Sequence, residues 1–551
     1  MGIAGLARRL EPYATRYSDQ QLEGYTAIID GPSLAYQAHK LALSGAASQL
    51  RIPSYADINN EGIRWLCSLE DRGIEVSEVL FDGALPVSKR AERLARTEQN
   101  NRRIQQLRAS YASTACPVPT YLGSTSYAFL APSLREALSN AQFASRSKIV
   151  PGEADDYCGL LAKNIPRSII FTSDTDLLLF DYHAETLIVL FQDVDSLAGI
   201  KAYSPRLIAQ NLKLKSLVPF AWVIQQRTSD GQNDLISDAC SVDTEAPAYL
   251  EFSRRYTEAV IEPAYVRELT GPLLPLQELD VRVSEFVHSS LLKSPDVFIY
   301  LPLLVEDPIQ ASAWNVAQHV RVLAYSLLGP LTSTIQEYRR KAQGISPQTI
   351  NTYSATDLGT PAKEVEFQLS ALFIWAEPKN LTTELLWMLF AVSFVLSELN
   401  TPPAIPLLSR VLNGDFDNTW VFIQLAARIH AAMYSLRMLK QIIAVRLIMD
   451  RATSPSLSTS LLVIAKHMST LPSLPDMFGV PGQVKRVSVE HSVMIEYIKE
   501  IYQSTGIEIP AEQVSNRKKK KQAREAERKQ RKADQRQRLD AALLNSFGVV
   551  D

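Results

Sequence analysis

Three short apolar runs near the start of the chain end in an acid, and this pattern limits the fold more than any other. The runs are Thr26 to Ile29 followed by Asp30, Ser77 to Phe81 followed by Asp82, and Ser168 to Thr172 followed by Ser173, Asp174, Thr175 and Asp176. Such β-branched stretches, bounded by turn formers, read as strands, as does Thr186 to Phe191. Helical spacing separates them over Lys89 to Arg108 and, after the Pro151-Gly152 turn, over Ala154 to Asn164. Alternating strands and helices predict an α/β unit with a largely parallel sheet over about the first 230 residues. In such sheets ligands bind beyond the carboxyl ends of the strands, so acids placed there converge although they lie far apart in sequence.

A fourth contribution comes from Glu153, Asp155 and Asp156, at the start of a predicted helix whose first turn favours negative charge. Carboxylates sharing one pocket raise one another's pKa unless a cation neutralises them, and hard oxygen donors select Mg²⁺ or Mn²⁺. Two such ions can bind the attacking and leaving oxygens of a phosphodiester. A single strand-terminal Asp is more often a turn former or cap, and Asp82 before Gly83 or Asp30 before Gly31-Pro32 is explained that way when taken alone. Four acidic segments ordered around one sheet edge favour the metal reading instead. Asp156 and Asp181 read as structural.

These motifs, in this order, resemble the XPG and flap-endonuclease superfamily. The resemblance rests on Met1-Gly2-Ile3-Ala4-Gly5-Leu6, Ile28-Ile29-Asp30-Gly31, Leu80-Phe81-Asp82-Gly83, Lys89-Arg90-Ala91-Glu92-Arg93, Pro151-Gly152-Glu153-Ala154-Asp155 and Thr172-Ser173-Asp174-Thr175-Asp176. The Gly-Glu-Ala-Asp-Asp form and the stretch Ser173 to Asp181 are most similar to the asteroid branch. The resemblance covers roughly residues 1 to 225 and implies a PIN-like nuclease domain. It implies that Asp30, Asp82, Glu153, Asp155, Asp174 and Asp176 coordinate two Mg²⁺ or Mn²⁺ ions, that Arg90 helps position the scissile phosphate, and that Gly2 packs close to the site. Lys89, Arg90 and Arg93 begin a helix of repeated positive charge suited to phosphates, which give affinity without sequence choice. The implied activity is structure-specific endonucleolytic cleavage of DNA, in preference to RNA, with DNA repair as its setting. The alternative is an inactive nuclease-fold scaffold that binds nucleic acid.

Two departures favour that alternative. Flap endonucleases carry a further Asp where this chain has Thr228, with Asp230 and Asp234 as nearby substitutes, and no Gly-rich helix-hairpin-helix lies between Gly231 and Val281. The six acids favour cleavage. A zinc site, a serine hydrolase, a P-loop NTPase and a dinucleotide enzyme are excluded because their motifs are missing.

Beyond the first unit the expected layout is an irregular polar linker over 231–272, an all-α region over 273–510 and a basic tail over 511–551. Within the tail, Arg517 to Arg538 holds twelve basic and three acidic residues, a net of +9, so the overall charge of −2 leaves −11 on the rest. The Lys518 to Lys521 run reads as a nuclear-localisation or nucleic-acid patch. Four sparse cysteines, no signal-like apolar run near Met1 and no stretch long enough to span a bilayer predict a nuclear protein, present also in the cytoplasm and not secreted, with no membrane partner. No protein partner can be read from the chain.

Overall fold

A computed structural model of the chain describes residues 2–47, 52–112, 116, 120–195, 199–227, 231–257, 279–292, 294, 296–329, 333–449, 455–483 and 489–510. Its strands are β1 (Thr15–Tyr17), β2 (Thr26–Asp30), β3 (Glu75–Phe81), β4 (Ser147–Ile149), β5 (Ser168–Thr172), β6 (Leu187–Leu190), β7 (Val194–Asp195), β8 (Gly199–Ala202), β9 (Phe298–Tyr300), β10 (Thr334–Lys341) and β11 (Gly344–Asn351). Five of them form a wholly parallel sheet in the order β4-β3-β2-β5-β6. The four strands expected from sequence are β2, β3, β5 and β6.

Both faces of this sheet are covered, so its strands are apolar on both sides. Ala27, Ile29, Ile169, Phe171, Leu187 and Val189 point to one core, and Ile28, Ile170, Ile188 and Leu190 to the other. This is the two-residue alternation of a strand, and each Ile, Leu, Val or Phe so buried contributes roughly 1.5–3 kcal/mol. The chain leaves β2 towards β3 on one side and reaches β5 on the other, which makes the carboxyl edge of β2 and β5 a topological switch point.

The first core does not stop at the α/β unit. It continues without a break from Leu22 through Trp314 and Trp387 to Tyr502, so the later region packs directly on the sheet's helices. That region is largely helical, with Trp420–Ile448 running 29 residues through its centre. It is not all-α: β9, β10 and β11 form a three-stranded sheet. The sequence of β10 hides its alternation because Glu337 and Arg340 occupy buried positions beside Ile335. The stretch read as an irregular linker contains two helices, Gln232–Cys240 and Pro247–Thr257, whose polar composition concealed the buried Leu235, Tyr249 and Tyr256. The basic tail expected over 511–551 lies outside the described residues. Among those described, no helix is long and apolar enough to cross a membrane.

His39, on the helix Gly31–Ala47, is 5% exposed, meets the Tyr127 ring edge-on at 4.6 Å, and has no partner for Nε2. Burial pushes its pKa down to about 4. The folded protein therefore holds His39 neutral while the unfolded chain takes up a proton near the ordinary value. The resulting stability is full above about pH 6.5 and is lost as pH falls towards 4, by up to about 3 kcal/mol. Thermal melts at pH 7.5 and pH 4.5 should show His39→Phe losing less than wild type; equal losses would remove His39 as the cause.

Candidate metal centre

Asp30 closes β2 at the switch point and is 4% exposed. Its Oδ2 accepts hydrogen bonds from the Thr172 hydroxyl, at 2.7 Å, and from the Ser33 hydroxyl, and its Oδ1 accepts from the Ser33 N–H at 3.2 Å. Ser33 Oγ in turn accepts the Ser173 N–H at 3.0 Å, so one buried network ties the ends of β2 and β5. Burial raises the Asp30 pKa, these hydrogen bonds oppose the rise, and the Asp174 charge adds to it.

Asp82 follows β3, and its Oδ1 accepts the N–H of Ala154, the first residue of the helix Ala154–Ala162, at 2.8 Å. The neighbouring turn needs glycine, because a Cβ on Gly83 would lie 1.9 Å from the Val150 carbonyl oxygen. Burial, with the charges of Asp30 and Glu153 behind it, pushes Asp82 up to about 7 against the pull of the Ala154 N–H and Arg93. Asp155, in the first turn of the same helix, is raised well above the usual carboxylate range by burial and then by Asp30, Asp174 and Asp82. Those four acids feel one another across three strand ends and a helix start.

Asp174 is 6% exposed, and its Oδ1 caps the turn that follows by accepting the Asp176 N–H at 3.0 Å. Asp176 is 7% exposed, and its Oδ1 is buried without a hydrogen-bond partner. Gly2 stands against both. With a φ of 80°, a Cβ there would lie 2.3 Å from Asp174 Oδ1 and 2.8 Å from Asp176 Oδ1, a space only glycine leaves open.

Cations border the acids on one side. Lys89 Nζ is 3.3 Å from Glu153 Oε1. Arg255, on the helix Pro247–Thr257, places Nη1 2.9 Å from Asp176 Oδ2, Nη2 3.2 Å from Glu153 Oε2 and Nε 3.4 Å from Asp156 Oδ1. Burial works against the Arg255 charge, but Glu153, Asp156 and Asp176 outweigh it and hold its pKa above the ordinary value. The same residues explain the milder shifts at Glu153 and Asp176. Burial raises both, Arg255 and Lys89 pull both down, and Asp156 and Asp174 respectively push them back up.

Arg90 and Arg93 make their direct contacts elsewhere, although the Arg93 charge is felt at Asp82. The Arg90 guanidinium stacks on Phe298 of β9, 3.8 Å from the ring centroid. Arg93 is ion-paired with the buried Glu285 and lies over Tyr300. Lys89 is the member of that basic helix start that reaches the acids. Thr228 and Asp230 lie outside the described residues, and Asp234 is exposed on its helix. Arg255 was not foreseen, since nothing in Ser253-Arg254-Arg255-Tyr256 marks it apart from other basic pairs.

All six expected ligands line this edge of the sheet, yet among the described residues no three His, Cys, Asp or Glu side chains stand close enough together to hold a metal ion. Arg255 holds two of the six, Glu153 and Asp176, in ion pairs of its own. The donor set still fits a hard divalent ion: it is all carboxylate oxygen, it contains the unpartnered Asp176 Oδ1, and burial with neighbouring carboxylates raises Asp30, Asp82 and Asp155. A cleft of about 740 Å³ opens beside Asp82, lined by Arg96, Arg135, Arg282, Arg437 and Lys440 among others. Its walls come from both the α/β unit and the later helical region.

Residues 126–352 match a family model described as XPG domain containing. Asteroid homolog 1 of Schizosaccharomyces pombe (strain 972 / ATCC 24843) is 28% identical over 188 residues, which are 33% of this chain and 31% of that protein. The match thus spans under a third of the relative's length. Among solved structures, human GEN1 in complex with Holliday junction DNA aligns with a TM-score of 0.30 and 14% identity, over 46% of this chain and 58% of that one. The catalytic core of Rad2 in complex with a DNA substrate aligns with a TM-score of 0.30 and 18% identity, over 48% of this chain and 88% of that one.

Proposed function

We propose that this chain, which resembles the XPG superfamily and most of all its asteroid branch, is a divalent-metal-dependent nuclease that hydrolyses phosphodiesters in structured DNA. The observation that carries this reading is the placement of Asp30, Asp82, Asp155 and Asp174 beyond the carboxyl ends of β2, β3 and β5, where burial and neighbouring charge raise the pKa of Asp30, Asp82 and Asp155. Such an arrangement costs stability unless a cation joins it, and that cost is typical of functional sites. Mg²⁺ or Mn²⁺ held by Asp30, Asp82, Glu153, Asp155, Asp174 and Asp176 would supply Lewis-acid activation of water and phosphate.

The chain's own residues do the rest. Asp30 is fixed by Ser33 and Thr172, so its carboxylate is oriented before any ligand arrives. Lys89, at the rim beside Glu153, offers a flexible ammonium to a phosphate entering the site. Arg96, Arg282 and Lys440 in the adjoining cleft give phosphate contacts along a strand, and the half-exposed Tyr36 on the same wall offers a stacking face. The Lys518 to Lys521 run supports a nuclear site of action, with DNA repair as the setting.

A second reading, an inactive nuclease-fold scaffold, is favoured by the three Arg255 ion pairs, which already satisfy part of the acidic site. Cleavage of labelled single-stranded, duplex, flap and overhang DNA, and of matching RNA, with Mg²⁺ or Mn²⁺ separates the two. Metal-dependent cutting that disappears in Asp174→Ala and Asp30→Ala is the expected result. Binding without cutting on every substrate would leave the scaffold.

A further inference from the structure

The geometry points to Arg255 as a built-in counter-cation that stands in for one divalent ion, so that the chain binds a single metal ion among the acids Arg255 does not neutralise. The inference rests on the metal-dependent reading above and narrows it, because the sequence alone leads to two ions.

The argument begins with the guanidinium. Its three nitrogens each face a different carboxylate, on Asp176, Glu153 and Asp156, at 2.9, 3.2 and 3.4 Å. A surface arginine seldom satisfies three separate acids, because fixing so long a side chain costs rotamer freedom. Here the helix beneath it is anchored. Tyr256 meets Phe180 edge-on at 5.6 Å and Phe252 at 5.6 Å, and Trp222 packs on both Phe252 and Tyr249. Phe180 lies four residues beyond Asp176, so the aromatic cluster fixes Arg255 against the very segment that carries its carboxylate partner. The side chain is 24% exposed, and the guanidinium lies against acids that are themselves 10–24% exposed.

The acids divide accordingly. Glu153, Asp156 and Asp176 Oδ2 are taken by Arg255, and Lys89 adds a second positive charge at Glu153. Asp30, Asp82, Asp155 and Asp174 touch neither cation among the ion pairs of the described residues, and Asp176 Oδ1, more than nine-tenths buried, is left with no partner beside Asp174 and Gly2. A divalent ion seated on Glu153 and Asp176 would share both carboxylates with the guanidinium, and like charges so placed repel strongly. The other four acids have no ion pair with Arg255 among the described residues, although its charge still reaches Asp155 and lowers its pKa.

Calorimetric titration of the full-length protein with Mn²⁺ alone, without nucleic acid, tests this, with electron paramagnetic resonance as a second readout. Wild type should take up one ion with an uncoupled Mn²⁺ spectrum. Arg255→Gln should take up two, with the dipolar broadening of a close pair, while Arg255→Lys, which keeps a positive charge there, should remain at one. Two coupled ions in wild type would overturn the inference whatever the variants do, and so would one ion in both wild type and a folded Arg255→Gln. No ion in any of the three would bring down the metal-dependent reading itself.

Discussion

Asp155→Asn should melt above wild type when divalent metal is chelated, and should cut far more slowly than wild type when metal is restored. Asp155 is the acid raised most plainly by its neighbours, with burial acting first and then the charges of Asp30, Asp174 and Asp82. Asparagine has nearly the same shape and removes one charge from that group. Against this stands the loss of an acid from the first turn of the helix Ala154–Ala162, worth about 0.3–1 kcal/mol. Relief of repulsion from three like charges should exceed that, giving a net gain of about 1–2 kcal/mol, within the range seen when a strained functional site is neutralised. Cleavage moves the other way. Losing a carboxylate that helps hold a Lewis acid worth several kcal/mol of transition-state stabilisation should lower the rate about 10³-fold. A third reading links them: Mn²⁺ should raise the wild-type melting temperature by mass action and leave the variant nearly unmoved. A variant that melts lower in chelator would mean that Asp155 is a helix-start residue and nothing more.

How far the sequence carried these conclusions depends on the distance over which each piece is determined. The strand ends were legible because β2, β5 and the Val79–Phe81 end of β3 are buried on both faces, so the apolar runs there are continuous and stop where Asp30, Asp82 and Ser173 begin. Glu153 and Asp155 were legible because Pro151-Gly152 marks the helix start. The switch point then puts them along one edge of the sheet, since parallel strands present the same edge.

The cations were harder. Lys89 and Arg90 are adjacent, but a helical step turns the side chain by about 100°, and the helix begins only at Arg90, after a short turn over Val87–Lys89. Lys89 therefore reaches Glu153 while Arg90 lies on Phe298. No periodicity argument places that boundary to within one residue. Arg255 was out of reach for a different reason: its short helix is held by tertiary aromatic contacts with Phe180 and Trp222, which polar composition does not announce. The sheet β9-β10-β11 was missed because its core is charged. Glu337 and Arg340 are buried in β10, so the apolar alternation that marks a strand is broken at the positions that face inward.

That charged core sets the largest expected effect on stability. Arg321 and Glu337 are both fully buried, with Arg321 Nε 2.8 Å from Glu337 Oε2. Tyr325 donates to the same carboxylate oxygen at 2.8 Å, and Arg321 also donates to the Val316 and Trp314 carbonyls and, at 3.0 Å, to the Ser435 hydroxyl. Arg321→Met fills a similar volume but leaves Glu337 buried with only Tyr325 and Arg339 as partners, and should cost about 3–5 kcal/mol. Adding Glu337→Leu removes the stranded charge, so the double variant should recover much of that loss, because desolvating an ion pair offsets most of its attraction. Urea unfolding of the two singles and the double closes the cycle; a single-variant cost below about 1 kcal/mol would show that water or a neighbour relieves the charge. The consequence reaches the acidic site indirectly. Ser435 and Arg437 lie on the same long helix, and Arg437 is ion-paired with Glu136 across the cleft that opens beside Asp82. Loosening the Arg321 network should therefore weaken the nucleic-acid binding proposed for the cleft more than it disturbs Asp30, Asp82, Asp155 and Asp174, which sit at the edge of the parallel sheet.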